Sequence, residues 1–270
     1  MKLIKRINNL YSAISEDKNL GFVPTMGSIH KGHESLIKIS KRLCKKTIVS
    51  IFVNPTQFNK KKDYLSYPRN FKKDLQILKK LKVDYLFLPE VDTIYSKKRK
   101  TKIKLNKSDN ILCAKFRKGH FEGVIDVMDR LSKKIKPKKI YLGEKDFQQL
   151  FLLKKYLEKK YKYKIIPCKT IRNSTKLALS SRNLLLKKNQ LYKAGKFAQD
   201  IIFFKKRLIK KMVNKDLLEK KKKELTKKFN VDIEYFELRN LSNLKKSNTI
   251  EKSRIFISYY LNKVRLIDNF

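Results

Sequence analysis

The chain has 270 residues, 41% of them hydrophobic, enough for one large domain or two modest ones with real cores. Its three cysteines, Cys44, Cys113 and Cys168, are far apart and odd in number, which excludes a disulfide framework or a cysteine metal site and points to a reducing compartment. The formal charge of +45 suggests nucleic acid or acidic lipid, but the lysines are spread through nearly every helix-like segment with no separate basic tail. A coding bias toward Lys, Ile, Asn and Phe explains that spread better than a dedicated patch, so nucleic-acid binding is not expected beyond incidental charge-driven contact.

The opening "MKLIKRINNLYSAISEDKN" lacks an apolar core of signal-peptide length, and runs such as "IVSIFV" (48–53) and "IIFF" (201–204) are too short to span a bilayer. The expectation is a soluble cytoplasmic protein without a membrane partner. "NLGFVPTMG" (19–27) reads as a short buried strand ending in turn residues. "HESLIKISKRLCKK" then places Leu36, Ile37, Ser40, Leu43 and Cys44 on one helical face. "TIVSIFVN" (47–54) is a β-branched strand closed by Asn-Pro. "NFKKDLQILKKLK" puts Phe71, Leu75, Leu78 and Leu81 at helical spacing, and "VDYLFLP" (83–89) is a strand stopped by proline.

This is the β-α-β-α-β pattern of a parallel sheet covered by helices. The lysine-rich stretch 96–110 has no clear period and reads as strand or loop. The pattern then resumes, with "GVIDVMDRLSKKI" as helix, "KKIYLGEK" as strand, "DFQQLFLLKKYLEKK" as helix and "YKIIPCKTI" as strand. Near residue 170 the style changes. A lysine-heavy helical region over about 187–229 precedes alternating strands at 231–238 and 254–261 and a last one, "VRLIDNF". The expected fold is α/β: a Rossmann-like parallel-sheet domain over 1–169 and a smaller α+β domain over 170–270.

In a chain with seven glycines and three histidines, those residues cluster tellingly. "PTMGSIHKGH" (24–33) holds His30 and His33 among Gly27 and Gly32. A helix N-terminus presents unpaired N–H groups and partial positive charge, a ready anion site, and glycine lets a phosphate approach the backbone. Histidines three apart on a helical turn share a face and could donate to one triphosphate, with the helix dipole lowering their pKa. They could equally be ordinary turn residues; a zinc site lacks a third ligand.

"SIFVNPTQF" (50–58) ends a strand at Asn54–Gln57, where ligands of open sheets bind, and Gln57 offers donor and acceptor together. It could also be a loop-stabilising amide. "FRKGHFEGV" holds the third histidine, His120. "GEKDFQQ" (143–149) again follows a strand: Lys145 can reach a phosphate as a point charge, and Asp146 can cap the next helix or hold Mg²⁺ through water. Either Gln148 or Gln149 could face a ligand. "ALSSRN" (178–183) combines hydroxyls with an arginine suited to phosphate oxygens, or forms a turn between domains.

"VPTMGSIHKGH", "SIFVNPTQF", "YPR" (67–69), "GHFEGV", "GEKDFQQ", "LALSSRN" and "RLIDN" (265–269) appear in the order and approximate spacing of one family. The chain resembles the pantoate–β-alanine ligases (pantothenate synthetases), nucleotidyltransferases with a H-x-G-H signature. The resemblance implies ATP-dependent condensation of pantoate with β-alanine through a pantoyl adenylate, with Mg²⁺, in a cytoplasmic homodimer whose C-terminal domain is a lid. It implies that Met26, Gly27, Ser28, Ile29, His30, Lys31, Gly32 and His33 form the ATP loop, with His33 as proton donor. It assigns Gly143, Glu144, Lys145, Asp146, Ile171, Leu179, Ser180, Ser181 and Arg182 to ATP as well. His30, His33, Lys145 and Arg182 are its catalytic set. Gln57 and Gln149 are implied for pantoate and Gln57 also for β-alanine, with Asn54, Tyr67 and His120 at the pocket's edge.

The sequence departs from the family pattern at Lys176, where glycine is usual, and at Asp126 and Met128, where threonine and valine are. Two other readings stand beside the ligase: another adenylyl or cytidylyl transferase, and a nucleic-acid-binding module. The Gln57/Gln149 pair and "RLIDN" argue against the first; the absence of an aromatic-and-basic recognition motif argues against the second.

Overall fold

The structure, a computed structural model, describes residues 1–59, 61–95 and 103–270. It divides into two compact units, Met1–Lys169 and Thr170–Phe270. The first runs β1 (Lys2–Ile4), α1 (Ile7–Ile14), β2 (Leu20–Thr25), α2 (Lys31–Leu43), β3 (Lys46–Ile51), α3 (Lys61–Leu65), α4 (Phe71–Lys80), β4 (Tyr85–Phe87), α5 (Val91–Ile94), α6 (Cys113–Phe116), α7 (His120–Ile135), β5 (Lys139–Gly143), α8 (Phe147–Leu153) and β6 (Lys164–Cys168). The second runs α9 (Lys188–Arg207), α10 (Lys215–Phe229), β7 (Asp232–Asn240), β8 (Ser253–Leu261) and β9 (Val264–Asn269).

The six strands of the first unit form one sheet in the order β1-β4-β3-β2-β5-β6, paired in parallel throughout. The order runs one way from β2 through β3 to β4 and the other way from β5 to β6. The reversal falls between β2 and β5, whose registered pairs are Gly21 with Lys139 and Phe22 with Ile140. A parallel sheet that reverses there leaves a crevice beyond the carboxyl ends of those two strands, where α/β proteins bind ligands. Both strands are apolar because helices cover both faces. Val23, Ile37, Val49, Leu78, Leu86 and Tyr141 are fully buried in one cluster under α2 and α4. At about 1.5–3 kcal/mol for each large side chain removed from water, this cluster fixes where the strand ends lie.

The second unit packs α9 and α10 on an antiparallel sheet, β7-β8-β9. Phe197, Ile201, Leu225, Leu238, Ile255 and Ile257 form its core. The fold class is the one expected. Some local expectations need correction. Leu43 and Phe71 are exposed, because each lies at the end of its helix where the apolar stripe has turned off the sheet. The edge strand β1 and helix α1 carry no distinctive pattern in so few residues. Of the lysine-rich stretch 96–110, residues 96–102 lie outside the described residues; Lys107–Asp109 forms a 3₁₀ turn. Among the described residues no helix is long and apolar enough to cross a membrane, and all three cysteines are buried and outside any disulfide.

Candidate active site

The loop after β2 is built on one buried carboxylate. Thr25 Oγ1 donates to the Ser50 carbonyl at 2.8 Å and accepts the Gly27 N–H at 3.1 Å. Gly27 (φ 82°) and Ser28 (φ 50°) are both left-handed, which aims consecutive backbone amides the same way. The Ser28 and Ile29 N–H groups donate to the two oxygens of Asp74, at 2.8 and 2.7 Å, and Ser28 Oγ donates to the Pro68 carbonyl at 2.8 Å. This corrects the expectation that the loop's amides meet a phosphate here: an internal anion already occupies those two. Gly27 makes room for that anion, since a Cβ there would lie 3.1 Å from Asp74 Oδ2. Asp74 is a site residue that the motifs do not single out. It sits on α4 one turn before Leu78, on the buried side of an amphipathic helix, and a charge on that side is the signal that could have found it.

His30 closes the loop as the N-cap of α2, with extended backbone (φ −135°, ψ 171°), so it precedes the helix instead of sharing its first turn with His33. Its Nδ1 accepts the Gly32 N–H at 3.1 Å. That bond leaves Nε2 to carry the proton of the neutral ring. The two imidazoles still meet: they stack with centroids 4.0 Å apart and planes 30° from parallel. Burial lowers His30 to about 4, helped by the charge of Lys145. Burial likewise lowers His33 to about 3, with His30 and then Lys145 adding to the effect. Both rings are therefore neutral at physiological pH, and the cause is burial with a neighbouring cation. His33 Nδ1 is buried without a hydrogen-bond partner among the described residues.

Lys145 comes from the next strand over. β5 ends at Gly143, and Glu144–Asp146 forms a 3₁₀ turn leading into α8. Lys145 Nζ contacts Asp146 Oδ1 at 3.3 Å. Asp146 occupies the N-cap position of α8 but makes no side-chain cap bond, which corrects the capping expectation; its half-exposed carboxylate sits beside the lysine. Gln148 is structural: its amide accepts the Cys113 N–H at 3.0 Å and donates to the Ile111 carbonyl at 2.7 Å. Its half-buried neighbour Gln149 remains as the ligand-facing candidate, and Lys31 is exposed.

The end of β3 carries a second amide cluster. Gln57 Nε2 donates to Met26 Sδ at 3.0 Å, and Gln57 Oε1 accepts from Asn54 Nδ2 at 3.1 Å. His120 Nδ1 meets the Gln57 carbonyl at 2.7 Å, and Arg117 lies 2.8 Å from the ring's other nitrogen. α7 approaches so closely that a Cβ on Gly123 would stand 2.5 Å from the Thr56 carbonyl oxygen. Thus Met26, Asn54, Gln57 and His120 are brought together, and the neutral pair His30 and His33 lies with Lys145 and Asp146 at the carboxyl ends of β2 and β5. Tyr67 packs edge-on to Phe58, with centroids 5.7 Å apart.

Ile171, Leu179, Ser180, Ser181 and Arg182 belong to the second unit. The Leu179 N–H donates to the Ile171 carbonyl at 2.9 Å, and Ser180 Oγ accepts the Arg182 N–H at 3.3 Å. The turn between them is held by Arg172, which forks onto Asp268 at 2.7 and 2.9 Å and reaches the Lys176 carbonyl at 3.0 Å. "RLIDN" is therefore a structural block here: Asp268 clamps Arg172, and Arg265 pairs with Glu234 at 2.6 Å. Lys176 adopts φ 71°, a left-handed conformation that a glycine would take without strain.

A sequence model of the family described as pantoate-beta-alanine ligase matches residues 1–270. A pantothenate synthetase of Francisella philomiragia is 40% identical over 274 residues, covering 100% of this chain and 95% of that protein. The chain belongs to the pantoate–β-alanine ligase family. It is accordingly an enzyme, a ligase. Pantothenate synthetase from Thermus thermophilus superposes with a TM-score of 0.93 at 28% identity, covering 100% of this chain and 99% of that one. The pantoate–β-alanine ligase of Francisella tularensis, solved in complex with beta-gamma ATP and β-alanine, matches with a TM-score of 0.85 at 38% identity, covering 100% and 97%. In this ligase the reversal between β2 and β5 and the H-x-G-H loop fall at one place in the sheet.

Proposed function

We propose that the enzyme condenses pantoate with β-alanine to give pantothenate, AMP and pyrophosphate through a pantoyl adenylate. The carboxylate of pantoate attacks the α-phosphorus of ATP; the new C–O–P bond forms as the bond to the bridging oxygen breaks and pyrophosphate leaves. The amine of β-alanine then attacks the acyl carbon, AMP leaves with the bonding electron pair, and the amine gives up a proton. The observation that carries this reading is the meeting of two neutral imidazoles with Lys145 at the carboxyl ends of adjacent strands.

Charge develops on phosphate oxygens during the first step, and preorganised donors in a dry site stabilise it best. His30 offers its Nε2–H and Lys145 a fixed positive charge. A bound triphosphate adds negative charge that opposes the effect of burial and of Lys145 on both imidazoles, so His33 gains basicity as the nucleotide arrives and can hold a proton near the leaving oxygen. Gln57 and Gln149 orient pantoate, and Gln57 also meets β-alanine. Family likeness gives Ile171 and Leu179–Arg182 a share in ATP. Among the described residues no group of three His, Cys, Asp or Glu forms a metal site. Asp146, half-exposed beside Lys145, would hold Mg²⁺ through water, and the ion would offset the charge of the phosphates. The same likeness implies a homodimer in the cytoplasm, which sedimentation of the purified protein tests.

Incubation with pantoate, β-alanine and Mg·ATP should yield pantothenate and AMP; ADP as product would refute the reading. Pyrophosphate should exchange into ATP with pantoate alone, and a requirement for β-alanine in that exchange would sink the adenylate. His33→Ala or Lys145→Ala should slow exchange by about two orders of magnitude, the scale of a lost transition-state donor.

A further inference from the structure

Behind Gln57 lies a chain of contacts that reaches a departure from the family pattern. Asp126 is buried on α7 and holds Arg130, one turn along, at 2.9 Å through Nε. The Arg130 guanidinium lies over the Tyr95 ring, 4.8 Å from its centroid. The Tyr95 hydroxyl donates to Asn54 Oδ1 at 2.8 Å, shorter than the bonds that oxygen accepts from Thr56 Oγ1 (3.0 Å) and Thr56 N–H (3.3 Å). Burial pushes the phenol up to about 12, so it stays a donor at any working pH.

With its oxygen taken by donors, Asn54 must turn Nδ2 the other way, toward the Gly123 carbonyl and Gln57 Oε1, each at 3.1 Å. Gln57 then has its oxygen tied inward and its nitrogen turned toward Met26 Sδ, a weak acceptor that claims one of its two hydrogens. A cation over a phenol ring draws density from the ring and strengthens the O–H as a donor.

We propose that Asp126, Arg130 and Tyr95 are positioning residues that act through Asn54 to fix the polarity of the Gln57 amide, so that it presents an N–H and takes an acceptor oxygen of the acid substrate. The proposal rests on the reading of Gln57 as a pantoate ligand. It gives Asp126 a purpose: its carboxylate helps hold the guanidinium over the ring. The array reaches the site through Asn54 and Gln57, so its effect falls first on the acid substrate.

The test is steady-state kinetics of the full chain with each substrate varied in turn. Tyr95→Phe, which removes one hydroxyl and keeps the ring, should raise KM for pantoate about five- to tenfold, the worth of one hydrogen bond, with KM for ATP within about twofold. Arg130→Met should act in the same direction, and Arg130→Lys, which keeps a cation over the ring, should restore most of the loss. The double variant Tyr95→Phe/Arg130→Met should be no worse than the worse single one, because both act along one path. Gln57→Glu, which exchanges the donor for an acceptor of equal shape, should raise KM for pantoate more than Gln57→Ala does; the opposite order overturns the polarity. Equal rises in KM for pantoate and ATP, or none for pantoate in either Tyr95→Phe or Arg130→Met, overturn the positioning role. Gln57→Ala separates the layers. If it leaves KM for pantoate unchanged, the assignment of Gln57 falls and this proposal with it; if it raises that KM while Tyr95→Phe does not, the proposal alone falls.

Discussion

Replacing Asp74 with asparagine tests the claim that an internal carboxylate shapes the H-x-G-H loop. The wild-type side chain accepts from Ser28 at 2.8 Å and Ile29 at 2.7 Å, one backbone amide on each oxygen. Asparagine keeps one oxygen, so one charge-assisted bond of about 1.5–3 kcal/mol is lost and a buried N–H faces an NH₂ group, at about 1–3 kcal/mol. Part of that is offset. Burial raises the Asp74 carboxyl pKa, and the two backbone N–H bonds pull it back only in part. The neutral amide escapes that desolvation, which leaves a net destabilisation of about 2 kcal/mol.

The functional effect should exceed what stability alone gives. Ser28 holds a left-handed conformation that costs an L-residue about 1–2 kcal/mol. Once its amide is released, the residue relaxes and carries His30 off its stack with His33. Urea unfolding should show the loss as a lower midpoint at unchanged slope. KM for ATP should rise about tenfold or more, and KM for pantoate much less. A variant within about 0.5 kcal/mol of wild type, with KM for ATP within about twofold, would show that Asp74 does not hold the loop.

Unfolded, His30 and His33 titrate near 6.5; folded, they titrate at about 4 and about 3. Between those values the unfolded chain binds more protons, so their contribution to stability is complete above pH 6.5 and lost as pH falls toward 3; a His30→Asn/His33→Asn variant should show a flatter acid limb in urea titrations, and an unchanged one would contradict the burial of the rings. Gly123→Ala would set a Cβ 2.5 Å from the Thr56 carbonyl oxygen and 2.9 Å from the Gln57 nitrogen. Because both are backbone atoms, we expect about 1–3 kcal/mol of destabilisation and weaker pantoate binding; wild-type behaviour would mean that α7 can move away freely. Lys176→Gly should stabilise the second unit by about 0.5 kcal/mol, the left-handed strain relieved less the entropy of a free glycine, read as a small rise in thermal midpoint; a fall would show that Lys176 is not strained.

Much of the fold was legible because periodicity and burial coincide. Val23, Val49 and Leu86 lie in strands read directly from β-branched, apolar runs, and Leu36 and Ile37 in a helix read from spacing. The site blocks were legible too, since His30, His33 and Lys145 are chemically distinctive and stand at strand ends. What escaped were residues whose partners are remote in sequence: Asp74, 45 and 46 positions from the amides it holds, and Arg172, 96 from Asp268. Gln148 and Gln149 look alike in sequence, and only burial separates them.

The order of the central strands and the longer helices, the positions of the glycines and imidazoles, and the family can be read along the chain, because each follows from local chemistry. The folded chain was needed to show which amides in the loop meet an internal carboxylate, which rings are held neutral, and which neighbours bond each end of the Asn54 and Gln57 amides. Hydrogen-bond partners and local charge are set by distances through space, and a linear pattern does not contain those distances.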